Sequence, residues 1–151
     1  MILLSRRSLL GIAAVVDIAI HCRVGPVPAK HLADRHRLPP RHLETLLQAL
    51  VREGILKGIR GPRGGYELAK DRRHVTAGDV VRAAMLSNED EGAQPLPDSA
   101  LVTAVVGPSV ESASNAFLAA LDAITVELLC READLSKVFG GKQDDTADFT
   151  I

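Results

Sequence analysis

Apolar residues recur at three- and four-residue spacing from the start of the chain. Leu9, Leu10, Ala13, Val16 and Ile20 mark one face of a helix over 6–22. Ile12, Val15 and Ile18 widen that face, so the helix is expected to be buried on most sides. Ser5 stands where a cap belongs, and Gly25-Pro26-Val27-Pro28 ends the run. Pro28 suits the first turn of a second helix over 28–36, burying Ala29, Leu32 and Ala33. A break at Arg37-Leu38 leads to Pro39-Pro40 and a third helix over 40–53. Its stripe is Leu43, Leu46, Leu47, Leu50 and Val51, with Arg41, His42, Glu44, Thr45, Gln48 and Arg52 on the other faces. Gly54 is the expected stop.

The pattern then changes. Ile55-Leu56…Ile59 and Tyr66…Leu68 flank Arg60-Gly61-Pro62-Arg63-Gly64-Gly65, which cannot be helix and reads as the loop of a β-hairpin. Residues 1–4 are apolar and suit an added strand. Thr76 caps a fourth helix over 77–86 that buries Val80, Val81, Ala84 and Met85. Residues 87–98 are acidic, with Gly92, Pro95 and Pro97, and read as a linker. Leu101 to Val106 is apolar and is stopped by Gly107-Pro108, after which Ser109 caps a helix over 110–122. A last helix spans 125–138, with Val126, Leu128, Leu129, Ala133 and Leu135 apolar. The chain therefore divides into a domain over 1–86, a linker or variable loop over 87–108, helices over 109–139 whose apolar surface a dimer would bury, and a polar tail over 140–151 expected to be disordered. The fold class is mainly α with a small β-wing.

Charge sharpens this division. The net charge of the 151 residues is -1, yet residues 1–85 carry 15 Lys+Arg against 7 Asp+Glu, and residues 86–151 carry 3 against 12. A basic half joined to an acidic half fits a module that faces nucleic acid beside a separate region. Aromatics make up 3%, so the core is aliphatic. Two cysteines, Cys22 and Cys130, form neither a disulfide framework nor a CxxC metal site, which fits a reducing cytoplasm. Arg6-Arg7 ahead of an apolar run has the look of a twin-arginine export signal. Asp17 interrupts that run, no small-x-small site ends it, and it is too short to span a bilayer.

Two short helices joined by a tight break, followed at once by a basic hairpin, make a winged helix-turn-helix. The third helix then enters the major groove. Arg41 suits guanine, Gln48 suits adenine, and Glu44 can accept from cytosine N4. Glu44 could instead serve as a partner for Gln48 or Arg41 within the helix. Arg6 and Arg7 project toward phosphates, and the hairpin tip suits a phosphate backbone or a minor groove. The candidate DNA contacts are Arg7, then Pro28 and Lys30, then Arg41, His42, Glu44, Thr45 and Gln48. The wing adds Arg60, Gly61, Pro62, Arg63 and Gly64.

These features together resemble the Rrf-two family of bacterial winged-helix regulators. The matching residues are Gly25-Pro26-Val27-Pro28, His42-Leu43-Glu44-x-Leu46-Leu47 and Arg52-x-Gly54-Ile55-Leu56. The wing, Arg60-Gly61-Pro62-Arg63-Gly64-Gly65-Tyr66-x-Leu68-Ala69, and Val75-Thr76-x-x-Asp79-Val80 follow. The likeness covers 1–86 closely and returns weakly at Ile124-Thr125-Val126-x-Leu128. It implies a homodimer on a palindromic operator, with a long C-terminal helix of each subunit crossing the other. It also implies that Glu44 discriminates bases, that Arg60 enters the minor groove, and that Arg41 and His42 occupy contact positions. Cluster-binding members place three cysteines between the fourth helix and the long helix. Residues 86–110 contain none here, so no iron–sulfur cluster and no other cofactor is expected. Arg7-Ser8-Leu9 replaces the family's usual Gly-x-Tyr.

The expected function is a DNA-binding transcriptional regulator, acting as a repressor and a homodimer. The alternative is a winged-helix protein-interaction module that has lost DNA binding. An enzyme is disfavoured, because no nucleophile–base pair, phosphate loop or metal signature is present. Histidines 21, 31, 36, 42 and 74 lack ligand spacing, so no metal is expected. Cys130 is a candidate redox switch, though a lone cysteine is more often a small buried hydrophobe. No residue pattern marks an effector or a membrane contact.

Overall fold

A computed structural model describes residues 3–86 and 99–140. The N-terminal helices follow the apolar periodicity closely. They are α1 (Arg6–His21), α2 (Ala29–His36) and α3 (Pro40–Arg52). Ser5 caps α1 by accepting from the Ser8 amide at 3.1 Å. α2 closes on Arg37 in the left-handed region, at φ 52° and ψ 46°, where two orphan carbonyls of the helix accept its N–H. Pro28 and Pro39 are the N-cap residues of α2 and α3, one position outside each helix and already extended.

The wing is an antiparallel pair, β1 (Leu56–Ile59) and β2 (Gly65–Leu68), in register Leu56 with Leu68 and Ile59 with Gly65. Residues 3 and 4 are bent rather than extended, and the first two lie outside the described residues. The added strand contact comes instead from Val27, which exchanges two 2.9 Å backbone hydrogen bonds with Tyr66. The loop between α1 and α2 is thereby fastened to the wing. A Cβ on Gly65 would lie 2.4 Å from the Val27 carbonyl group, so only glycine permits this approach.

α4 (Ala77–Leu86) starts with a reciprocal cap: the Asp79 amide donates to Thr76 Oγ1 at 3.1 Å, and the Thr76 amide donates to Asp79 Oδ2 at 3.0 Å. One core joins α1 to α4 and includes Val15, Ile18, Leu32, Leu47, Leu50, Val80 and Ala84. In α3, Ala49 is buried while Val51 is exposed, and in α4 Ala83 is buried while Met85 is exposed. Both differences move the buried face by one or two positions within the same helix.

Beyond the undescribed 87–98, helix begins earlier than expected. Gly107-Pro108 does not stop the chain. A π-helical turn, Val102–Val106, leads directly into α5 (Gly107–Asp122). The Gly107 N–H donates to the Val102 carbonyl, and the widened turn accommodates a proline that has no N–H of its own. A Cβ on Gly107 would sit 2.9 Å from that carbonyl oxygen. Ser109 is consequently inside the helix, donating to the Val105 carbonyl at 2.8 Å, and is not a cap. Part of the expected variable loop is therefore helix. α6 (Val126–Leu135) is capped by Thr125 and buries Val126 and Cys130 into the main core, whereas Leu128 and Leu135 are exposed. Arg82 of α4 grips Asp122 with two 2.7 Å hydrogen bonds and fixes the end of α5.

Candidate nucleic-acid interface

The candidate surface begins with α3. Leu43, Leu46, Leu47 and Leu50 are each 2% exposed or less, while Arg41, His42, Glu44, Thr45 and Gln48 are exposed. Each buried leucine contributes about 1.5–3 kcal/mol. That anchor lets the opposite face present polar side chains on a helix that cannot roll. Thr45 is partly occupied, since its hydroxyl donates to the Arg41 carbonyl at 3.2 Å. No hydrogen bond or ion pair engages the Glu44 carboxylate among the described residues, so Gln48 and Arg41 are not its partners. Its charge instead acts on Tyr66 of β2. The phenol is pushed above its ordinary value first by burial and then by Glu44. Glu44 therefore lies on the side of α3 that faces the wing.

Lys30, Arg60, Gly61, Pro62 and Arg63 are exposed. No ion pair holds Arg60 or Arg63 among the described residues, so both guanidinium groups are available to an external anion. The loop is closed by the Gly64 N–H, which donates to the Gly61 carbonyl at 2.9 Å. Arg63 shares a depression of about 450 Å³ with Pro28, His31 and Arg35, placing the wing loop beside the start of α2. Arg7, half-buried, lines a second recess with His42 and Thr45, which brings the start of α1 beside the start of α3. The expected contacts thus pair the wing loop with the start of α2, and the start of α1 with that of α3.

The residue that the sequence reading missed is Asp17. It is 0% exposed inside α1. Arg35 of α2 grips it in a fork, Nη2 on Oδ1 at 2.6 Å and Nε on Oδ2 at 2.9 Å. His36 Nε2 lies 2.8 Å from Oδ2, and His21 Nδ1 lies 2.8 Å from Oδ1. The cluster ties the first helix of the helix-turn-helix to α1 through a buried carboxylate. The available signal was the acid itself, within an otherwise apolar face, since a buried charge requires partners.

Cys130 is 1% exposed, and burial pushes its thiol up, with Arg72 acting against that shift. Arg72 also pairs with Glu127 on the same helix. This thiol is buried and predominantly protonated, the opposite of a reactive one. Among the described residues no group of three or more His, Cys, Asp or Glu is placed to hold a metal ion.

A family model described as Rrf2, iron-dependent transcriptional regulator, matches residues 4–132. The chain belongs to the Rrf2 family of DNA-binding transcriptional regulators. It is 36% identical over 72 residues to the HTH-type transcriptional regulator IscR of Serratia proteamaculans (strain 568), a match covering 48% of this chain and 44% of that protein. The match thus spans less than half the length of that curated relative. Among solved structures, T. potens IscR superposes with a TM-score of 0.68 at 30% identity, covering 89% of this chain and 90% of that one. CymR (YrzC), the global cysteine regulator of B. subtilis, gives a TM-score of 0.64 at 27% identity, covering 87% and 98%. The winged helix-turn-helix and the mainly helical class agree with these relatives, and the family is one of regulators rather than enzymes. Among the described residues no helix is long and apolar enough to cross a membrane.

Proposed function

We propose that this Rrf2-family protein is a cytoplasmic repressor that binds a palindromic operator as a homodimer, without an iron–sulfur cluster. The observation that carries the reading is an exposed polar face on α3 together with a wing whose Arg60 and Arg63 are exposed and, among the described residues, held by no ion pair. α3 enters the major groove, where Arg41 and Gln48 donate to base edges and Glu44 accepts from cytosine. Arg60 enters the minor groove. Arg63, Lys30 and Arg7 hold phosphates, and Pro28, Gly61, Pro62 and Gly64 bring the backbone close to the duplex.

Dimerisation is supported by the apolar side chains left exposed on the C-terminal helical run. Leu101, Val105, Val106 and Val110 are 64%, 55%, 45% and 58% exposed. A second copy covering this run would supply the twofold symmetry that a palindrome mirrors.

The residues do not fit a thiolate-held cluster. The chain has two cysteines, of which Cys130 lies in the core with a raised thiol, and residues 86–110 contain none. A reading without a cluster follows from that donor set.

The test is selection of genomic fragments by the purified protein at two salt concentrations, followed by sequencing. A palindromic site retained at the higher salt is the expected outcome. Recovery of random fragments alone, all lost at the higher salt, would favour the winged domain as a protein-interaction module.

A further inference from the structure

A leucine-walled recess of about 670 Å³ opens between the first turns of α1 and α3. Its volume falls within the roughly 300–1,000 Å³ common for small-molecule sites. Leu9 and Leu10 come from α1, Leu43 and Leu46 from α3, and Leu38 from the turn before α3. These walls are aliphatic and offer water no hydrogen-bond partner. Leu43 and Leu46 belong to the core, at 1% and 2% exposure, whereas Leu9 is 36% exposed and opens the recess to solvent. The remaining lining is cationic or neutral. Arg6 and Arg7 start α1, His42 and Thr45 belong to α3, and among the described residues no carboxylate lines the recess. The N-terminal end of α1 adds positive potential on the same side.

We propose that this recess is an effector site for a small amphiphilic monoanion, an aliphatic carboxylate of medium chain length. The apolar body lies among the leucines and the carboxylate meets Arg6 and Arg7. A phosphate diester alone makes poor use of five leucines, and a neutral lipid leaves the arginines unused. The site shares Arg7, His42 and Thr45 with the face assigned to DNA. An anion held there takes one of the phosphate contacts and sets a negative charge beside the start of α3. Occupancy therefore weakens DNA binding. This regulatory half rests on the proposed DNA-binding function, whereas the binding half does not.

The test uses the full chain, with octanoate and octan-1-ol as calorimetric probes. Octanoate is expected to bind saturably at one per chain, and octan-1-ol about tenfold more weakly or less, because it cannot form charge-assisted hydrogen bonds. Arg6→Gln, an exposed position, is expected to narrow that gap. Leu9→Glu, at a partly exposed position and checked by its thermal melt, is expected to abolish octanoate binding. Equal affinity for the two probes, unchanged octanoate binding in both variants, or no octanoate binding overturns the proposal. Hydrogen-exchange protection of residues 6–10 and 38–46 that rises with protein concentration, and not with octanoate, assigns the recess to a second copy and also overturns it. Titration of labelled DNA forms the second arm. Octanoate is expected to lower DNA affinity in the unsubstituted chain, and undiminished affinity overturns the regulatory half. Octanoate binding by a chain that binds no DNA at any salt supports the site and rejects the DNA-binding function instead.

Discussion

At the scale of single residues, Glu44 and Tyr66 offer a direct probe of where α3 meets the wing. The chain has one tyrosine and no tryptophan, so ultraviolet absorbance reports the Tyr66 phenol alone. Burial and Glu44 both raise its titration. Glu44→Gln is expected to shift it downward while leaving it above the ordinary value of about 10, because burial persists. A raised phenol favours the neutral form in the folded chain. Its stabilising contribution is present below the unfolded value and disappears as pH climbs through the folded one. In operator titrations across single-base variants, Glu44→Ala is expected to relax base preference more than it lowers total affinity. Arg60→Ala is expected to weaken every site by a similar factor. Unchanged preference in Glu44→Ala would remove that side chain from base readout. The polar face of α3 was legible because helical periodicity separates it cleanly from four buried leucines. Asp17 was not, because its partners Arg35 and His36 lie on another helix and meet it only after folding. Asp17→Ala is expected to cost about 1.5–3 kcal/mol in a denaturant titration, since it removes the buried carboxylate that Arg35, His36 and His21 surround while leaving those partners partly exposed to water.

At the scale of elements, the wing works only as well as its root. Val27 and Tyr66 form that root, and Gly65 sits where any Cβ would strike the Val27 carbonyl group. Gly65→Ala is expected to open both 2.9 Å hydrogen bonds, visible as faster exchange of the Val27 and Tyr66 amides. DNA affinity should fall even though neither amide faces the duplex. Two cysteines at opposite ends of the sequence had left Cys130 open as a redox switch. Its place in the core, with a raised thiol, predicts slow alkylation at neutral pH in the native chain and fast alkylation once unfolded. The hairpin was legible from six consecutive residues that no helix accepts. The start of α5 was not, for a definite physical reason. Gly107-Pro108 is a strong stop signal in a regular α-helix, but the π turn supplies a geometry in which Gly107 reaches the Val102 carbonyl and the proline follows without strain. Local sequence rules describe the α-helix, and a widened turn lies outside them.

At the scale of the whole molecule, twofold symmetry and salt dependence stand or fall together. In the proposed dimer a single wing and a single α3 read one half-site, so operator affinity would depend on a second copy held at a fixed spacing. The exposed apolar residues on the run from Leu101 to Val110 identify where that copy would sit. Replacing Val105 and Val110 by glutamate is expected to give a monomer in sedimentation equilibrium. Both side chains are more than half exposed, so the core formed by α1 to α4 should retain its helical signal and its melt. The monomer keeps its phosphate contacts, but only those of one half-site. The slope of log affinity against log salt is about -0.9 for each phosphate neutralised, so it should fall to about half the dimer's value. Equal slopes for the two species would mean that one subunit makes all the phosphate contacts. A variant that stays dimeric would place the interface elsewhere on the chain. The second result would remove the C-terminal helical run from its assigned role, and the first would keep that role but reject the reading of one half-site by each subunit.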